Sequence, residues 1–159
     1  DPINSFEESI SKVKLFKHHL ENRDNYKIFW DWDNLKKIKE SDVQIMLDLI
    51  FSTSNFSVDK EVNNWRWPVD FKVSKWKDNT LIETKLASNS QLKNNLWKQL
   101  DIYQDANSTK NWIYIIICFF DDELEKVKKY IKELWMDEYI DKKLFIIDCR
   151  KKISASKVK

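Results

Sequence analysis

A near-continuous apolar run, NWIYIIICFF from Asn111 to Phe120, limits the folds open to this chain more than any other stretch. It is rich in β-branched and aromatic residues and leaves no polar face for solvent. Such a strand has to be covered on both sides, so it belongs at the centre of a sheet with helices on each face. The neighbouring patterns supply those helices. Residues 4–22 place Phe6, Ile10, Val13, Leu15, Phe16 and Leu20 at near-helical spacing, with Ser5 and Glu8 in a capping-box pattern. Residues 41–52 predict a largely buried helix, with Ser41 as its cap and Val43, Ile45, Met46, Leu47, Leu49 and Ile50 inside. Residues 89–107 predict another, capped by Asn89 or Ser90, whose Leu92, Leu96, Leu100 and Tyr103 pack on the sheet. Asp121 to about Trp135 predicts a last helix with the stripe Leu124, Val127, Ile131 and Leu134. Residues 23–39 have no clean period and read as a loop with a short helical turn.

Between these helices lie FSVDKEVNN, VDFKVSK, LIETKLA and KLFIID, all strand-like. From residue 41 the order is α-β-β-β-α-β-α-β, which predicts an α/β or α+β sandwich around a mixed central sheet flanked by helices.

Length and charge narrow the class. A chain of 159 residues is one domain with room for a real core, and a net charge of +2 does not by itself announce nucleic acid. No apolar run reaches membrane length and no signal peptide is visible, so no membrane role and a cytoplasmic setting are expected. The chain begins at Asp1 without Met, as a fragment or a processed protein does. Cys118 and Cys149 each sit in an apolar strand and are expected as buried, reduced thiols. His18 and His19 point about 100° apart on a helix and cannot pair on a metal. A Gly-rich phosphate loop, a zinc-ligand cluster and a Ser-His-Asp set are all missing from the sequence.

Chemistry concentrates between Pro68 and Tyr103. The segments VDFKVSK and LIETKLA alternate apolar and polar residues around the polar link Trp76 to Asn79, a β-hairpin pattern. With that link as a four-residue loop, Lys75 faces Thr80 and Asp70 lies opposite Lys85, with Glu83 on the same face. Cross-strand neighbours are roughly 5 Å apart, so two carboxylates and an ammonium converge. The opposite face carries Phe71, Val73, Ile82, Thr84 and Leu86, suited to a core. Paired carboxylates are hard-oxygen ligands for Mg²⁺, and a lysine beside them can orient or deprotonate a water or stabilise developing negative charge.

Pro68-Val69-Asp70 followed by Glu83-Thr84-Lys85 resembles the signature of the PD-(D/E)XK nuclease superfamily, and Gln99 to Tyr103 resembles the QxxxY motif that several of its branches carry on the next helix. The resemblance covers roughly residues 40–150. It implies a restriction-endonuclease-like αβββαβ core over 40–150, an N-terminal helical extension over 1–39 and a basic tail over 151–159. It also implies a nuclease dependent on Mg²⁺ or Mn²⁺ that cuts DNA in a defence, restriction or repair setting. Asp70 and Glu83 would hold metal, Lys85 would position water or stabilise the phosphorane, and Gln99 and Tyr103 would brace the site. Glu40 is the candidate fourth acid, with Asp42 second; first-turn acids are also what a helix dipole favours. Glu61 is expected on the solvent face. Arg66, Lys72, Lys75 and Lys93 are the candidate nucleic-acid contacts. A non-cleaving nucleic-acid-binding or partner domain on the same fold is the alternative, and a homodimer or a larger parent protein is compatible with either.

Glycine is absent, and tryptophan occurs 8 times. Trp76 in the hairpin link, Trp65 and Trp67 around Arg66, and Trp30 and Trp32 in FWDWDN all sit where turns ask for glycine. In sequences that this one resembles, Asn63 to Pro68 would read with glycine at both tryptophan positions. Two readings are open: a chain poor in glycine with aromatic loops, or tryptophans standing at a reassigned UGA codon that some bacteria read as glycine.

Overall fold

The computed structural model describes residues 2–63, 68–104 and 111–153, without the side chains of residues 63, 68 and 102–104. Its elements are α1 (Ser5–Asn22), a 3₁₀ turn (Asn25–Phe29), the short hairpin β1 (Trp30–Asp31) and β2 (Asn34–Leu35), α2 (Glu40–Phe51), β3 (Ser57–Asn63), β4 (Pro68–Lys75), β5 (Asp78–Leu86), α3 (Leu92–Gln104), β6 (Asn111–Cys118), α4 (Asp121–Glu133) and β7 (Leu144–Asp148). The main sheet has five strands in the order β3-β4-β5-β6-β7. The β3-β4 and β4-β5 pairs are antiparallel; β5-β6 and β6-β7 are parallel. The fold is therefore mixed α/β.

Alternation along β6 builds two cores. Ile113, Ile115 and Ile117 pack with Phe71, Val73, Ile82, Phe145 and Ile147 under Val13, Phe16 and Leu20 of α1 and Val43, Leu47 and Phe51 of α2. Tyr114, Ile116 and Cys118 face the other way, toward Leu92, Leu96 and Leu100 of α3 and Val127 and Ile131 of α4. The expected double coverage of β6 is observed, and Cys118 and Cys149 are free and buried. Burial pushes the Cys118 thiol up to about 12, which makes it unreactive.

Helix α1 packs on the sheet. Ser5 Oγ meets Thr80 Oγ1 at 2.9 Å, Lys17 donates to the Ile146 carbonyl, and Glu21 accepts the Asp148 amide at 2.9 Å, so α1 is fastened along the sheet. Its cap is Asn4, which accepts the Glu7 amide at 2.9 Å; Ser5, the expected cap, is buried against Thr80 instead. Residues 30–35, expected as loop, form a hairpin too short to show a period. The second helix starts at Glu40 with Lys39, not Ser41, at its cap position, and Ile45 and Leu49 are exposed rather than inside. Among the described residues no helix is long and apolar enough to cross a membrane.

The register of the central hairpin differs from the expected one. Lys75 pairs with Asp78 and Phe71 with Ile82, so the turn is two residues, Trp76 and Lys77, not four. Continued, this register aligns Asp70 with Glu83 rather than with Lys85. A slip of two residues preserves faces along β5, but alternation along β4 breaks at Asp70: Phe71 packs with Ile82, Val69 packs with Leu81 and Trp112, and the Asp70 carboxylate reaches the Thr84 hydroxyl.

Candidate functional site

The site lies where β4 and β5 part. Their pairing ends at Phe71 and Ile82. Past that point the Thr84 amide has no ladder partner on β4, and Asp70 supplies one: its Oδ2 accepts the Thr84 amide at 2.6 Å and the Thr84 hydroxyl at 2.8 Å. Two donors on one oxygen fix the direction of this carboxylate. One residue further, Lys85 Nζ sits 3.1 Å from Glu83 Oε1 and 3.4 Å from Glu40 Oε2. Glu40 opens α2, so the helix start and the strand end meet at this ammonium. Asn89 Nδ2 donates to Glu40 Oε1 at 3.1 Å, and Asn89 Oδ1 accepts the Gln91 amide at 2.9 Å. Lys126 of α4 donates to the Ala87 carbonyl at 2.6 Å, pinning the chain just after Lys85.

Electrostatics follow from burial. Burial and the adjacent Asp70 push Glu83 up to about 7 against the opposing pull of Lys85. Burial also raises Asp70, partly countered by the two Thr84 hydrogen bonds and by Lys85. Around Lys85 burial works against the charge, but Glu83, then Glu40 and Asp70, outweigh it and hold the pKa above the ordinary lysine value. Lys85 is thus a fixed cation. The Oε2 atom of Glu83 is buried without a hydrogen-bond partner. A buried acceptor without a donor costs free energy unless another group or an ion meets it.

Residues 5–121 match a family described as a domain of unknown function, DUF8371. The chain belongs to this family. The matched span of this DUF8371 chain runs from α1 to the first residue of α4 and contains every group gathered around Lys85. No curated protein matches the chain.

The other expected residues are spread. Asp42, the second candidate acid, accepts the Lys39 amide at 2.8 Å, so its carboxylate is occupied in capping α2. Gln99 is buried on α3, and its Oε1 has no hydrogen-bond partner. Tyr103 follows one helical turn later, but its side chain lies outside the described residues, as does Arg66 entirely. Lys72 is half-buried on β4, paired in register with Leu81 of β5. Lys75 lies at the far end of the same strand, its Nζ 5.1 Å above the Phe56 ring. Lys93 pairs with Glu133 at 2.5 Å and rests over Tyr130, tying α3 to α4. Neither Lys75 nor Lys93 is brought to Lys85. Glu61 is exposed, as expected. Arg150, at the start of the tail, is bound to Asp148 and Asp121.

Asn89 is the residue that sequence reasoning missed as part of the site. It was legible as a helix cap, and nothing local signals a partner on α2. Asn89→Ala frees Glu40 on one side and leaves the Gln91 amide without its acceptor, and is expected to cost about 1 kcal/mol of stability, read in a thermal melt.

Proposed function

We propose that this protein is a divalent-cation-dependent nuclease of the PD-(D/E)XK type that hydrolyses phosphodiester bonds in DNA, on a restriction-endonuclease-like core. The observation that carries this is the meeting of Asp70, Glu83 and Lys85 from adjoining strands, with one oxygen of Glu83 buried and unmet. A structural Glu–Lys pair has no need of a second acid close enough to raise the first. A cation site does.

The donor set fits Mg²⁺ or Mn²⁺. Asp70 and Glu83 would hold the ion. Mg²⁺ commonly takes one or two carboxylates and leaves its remaining positions to water and phosphate. Among the described residues no group of three His, Cys, Asp or Glu is placed to hold a metal, so the protein would supply these two carboxylates alone. When bound, such an ion supplies Lewis-acid polarisation of a phosphoryl oxygen and a more acidic water.

The chain's own groups do the rest. Lys85 faces the reacting phosphate as a cation held from both sides by Glu83 and Glu40. Its charge stabilises the negative charge that builds on the phosphoryl oxygens, and its N–H groups orient the attacking water. It would act as an ammonium donor gripped by the two carboxylates. Glu40 and Asn89 keep it aimed. Gln99 braces the site from α3, its unmet carbonyl oxygen ready to accept a donor. Lys72 contributes a backbone-phosphate contact.

Supercoiled plasmid and duplex and single-stranded oligonucleotides test this with Mg²⁺ and with EDTA. Cleavage with Mg²⁺ and none with EDTA is expected; an RNA oligonucleotide of the same sequence reports the sugar preference. Salt-sensitive binding with no cleavage in Mg²⁺ or Mn²⁺ would identify a non-cleaving nucleic-acid module instead.

A further inference from the structure

Six described residues have positive φ: Asp24, Trp32, Glu61, Trp76, Trp135 and Asp141. Aspartate tolerates the left-handed region through local hydrogen bonding. A bulky aromatic does not, because its Cβ crowds the following carbonyl oxygen. Yet Trp32, Trp76 and Trp135 have φ of 54°, 62° and 56°.

Each stands at a motif position with a known preference. Trp32 is the first of two turn residues between the paired Asp31 and Asn34, and Trp76 is the first of two between Lys75 and Asp78. In both turns the first central residue has positive φ and the second does not. That is the type II′ hairpin pattern, which takes glycine at the first position. Trp135 follows α4. Its amide bonds the Lys132 carbonyl at 3.2 Å while the Met136 amide bonds the Ile131 carbonyl at 2.9 Å. These are the paired bonds of a Schellman motif, and the buried Ile131 and Met136 supply its apolar contact. Trp135 fills the left-handed position after the helix, where glycine is the usual residue.

The three side chains gain nothing in return. They are 90 %, 95 % and 85 % exposed, whereas a tryptophan commonly buries about 150–250 Å². Nor do they form one aromatic platform. Trp76 and Trp135 lie toward the end of the sheet where β5 and β7 begin, while the hairpin of Trp32 is tied through Trp30 to Cys149, just past the end of β7. Trp30, two residues from Trp32, behaves as a tryptophan should. Its φ is −111°, its indole N–H donates to the Cys149 carbonyl at 2.8 Å, and its ring meets Phe120 edge-on at 5.7 Å. A chain that merely avoided glycine would have no reason to gather tryptophan at left-handed turn positions.

We propose that Trp32, Trp76 and Trp135 stand at codons that the source organism reads as glycine, so that the protein it makes carries glycine at all three and tryptophan at 30. A UGA codon, read as glycine in one genetic code and as tryptophan in another, unites the three sites with a composition of 0 glycines and 8 tryptophans. Peptide mapping by mass spectrometry of the protein isolated from its own organism tests this directly. Glycine masses at 32, 76 and 135 and a tryptophan mass at 30 are expected; tryptophan at any one of the three overturns the proposal. The same digest reads Trp65 and Trp67, which lie outside the described residues. A second measurement uses recombinant protein. The combined variant W32G/W76G/W135G should melt about 5 °C or more above the tryptophan-bearing chain, after allowing for the freer unfolded state of glycine. W30G should melt lower, having lost a hydrogen bond and a ring contact. An unchanged or lower melting temperature for the combined variant would overturn the assignment.

Discussion

Asp70→Asn and Lys85→Ala each remove cleavage in the presence of Mg²⁺, by about 10²–10³-fold or more, while duplex binding stays within a few-fold of the unsubstituted chain. The expectation rests on what each group does. Asp70 is one of two carboxylates available to a cation, and asparagine keeps an oxygen for the Thr84 donors but removes the charge. Lys85 is the cation that would face the phosphate, and no described side chain replaces it at that point between Glu83 and Glu40. Lys72→Ala is the contrasting case: a phosphate contact weakens binding at all sequences and lowers the salt dependence without touching the chemical step. Circular dichroism and a melt for each variant exclude unfolding as the cause. Cleavage that survives equally in Asp70→Asn and Lys85→Ala would remove the nuclease proposal.

The sequence carries the layers of this fold because periodicity is a property of the backbone. The run from Asn111 to Cys118 reads as a doubly covered strand, and it is one, because each face of β6 meets its own helix pair. The meeting of Glu83 and Lys85 is legible too, since a two-residue error in register leaves both on one side of β5, whereas the turn of Asp70 to Thr84 breaks the alternation of β4 and is not legible. The register itself is hidden. A two-residue II′ turn announces itself through glycine, and here the position is written as Trp76, so the link looks longer than it is. The β1-β2 hairpin is hidden in the same way by Trp32. Glu40 and Asp42 cannot be separated by sequence, because both are first-turn acids; only the bond that the Lys39 amide donates to Asp42 shows which one is left to face Lys85. Asn89 escapes notice for a different reason. Its partner is 49 positions away, and no local pattern encodes a contact of that range.

Glu83→Gln stabilises the protein above neutral pH. In the folded chain Glu83 titrates at about 7 instead of its ordinary 4.5, chiefly because burial and Asp70 oppose its charge. Between those values the folded protein binds a proton that the unfolded chain has released, so stability falls as pH rises through the interval. Below about 4.5 the group is protonated in both states and costs nothing; above about 7 it is ionised in both and the whole cost is present. That interval corresponds to on the order of 3 kcal/mol. Glutamine keeps the size and an acceptor for Lys85 but carries no charge to bury. At pH near 8 and without divalent ions, the variant should melt on the order of 5–10 °C above the unsubstituted chain, and the two should converge toward pH 4.5. Saturating Mg²⁺ should close the gap from the other side, raising the melting temperature of the unsubstituted chain and leaving Glu83→Gln where it was, because only an ionised carboxylate is a ligand worth the burial. For the same reason cleavage should rise with pH through about 7. Equal melting of the two proteins at pH 8 in EDTA would mean that Glu83 is not held there at a cost, and the cation site would lose its physical basis.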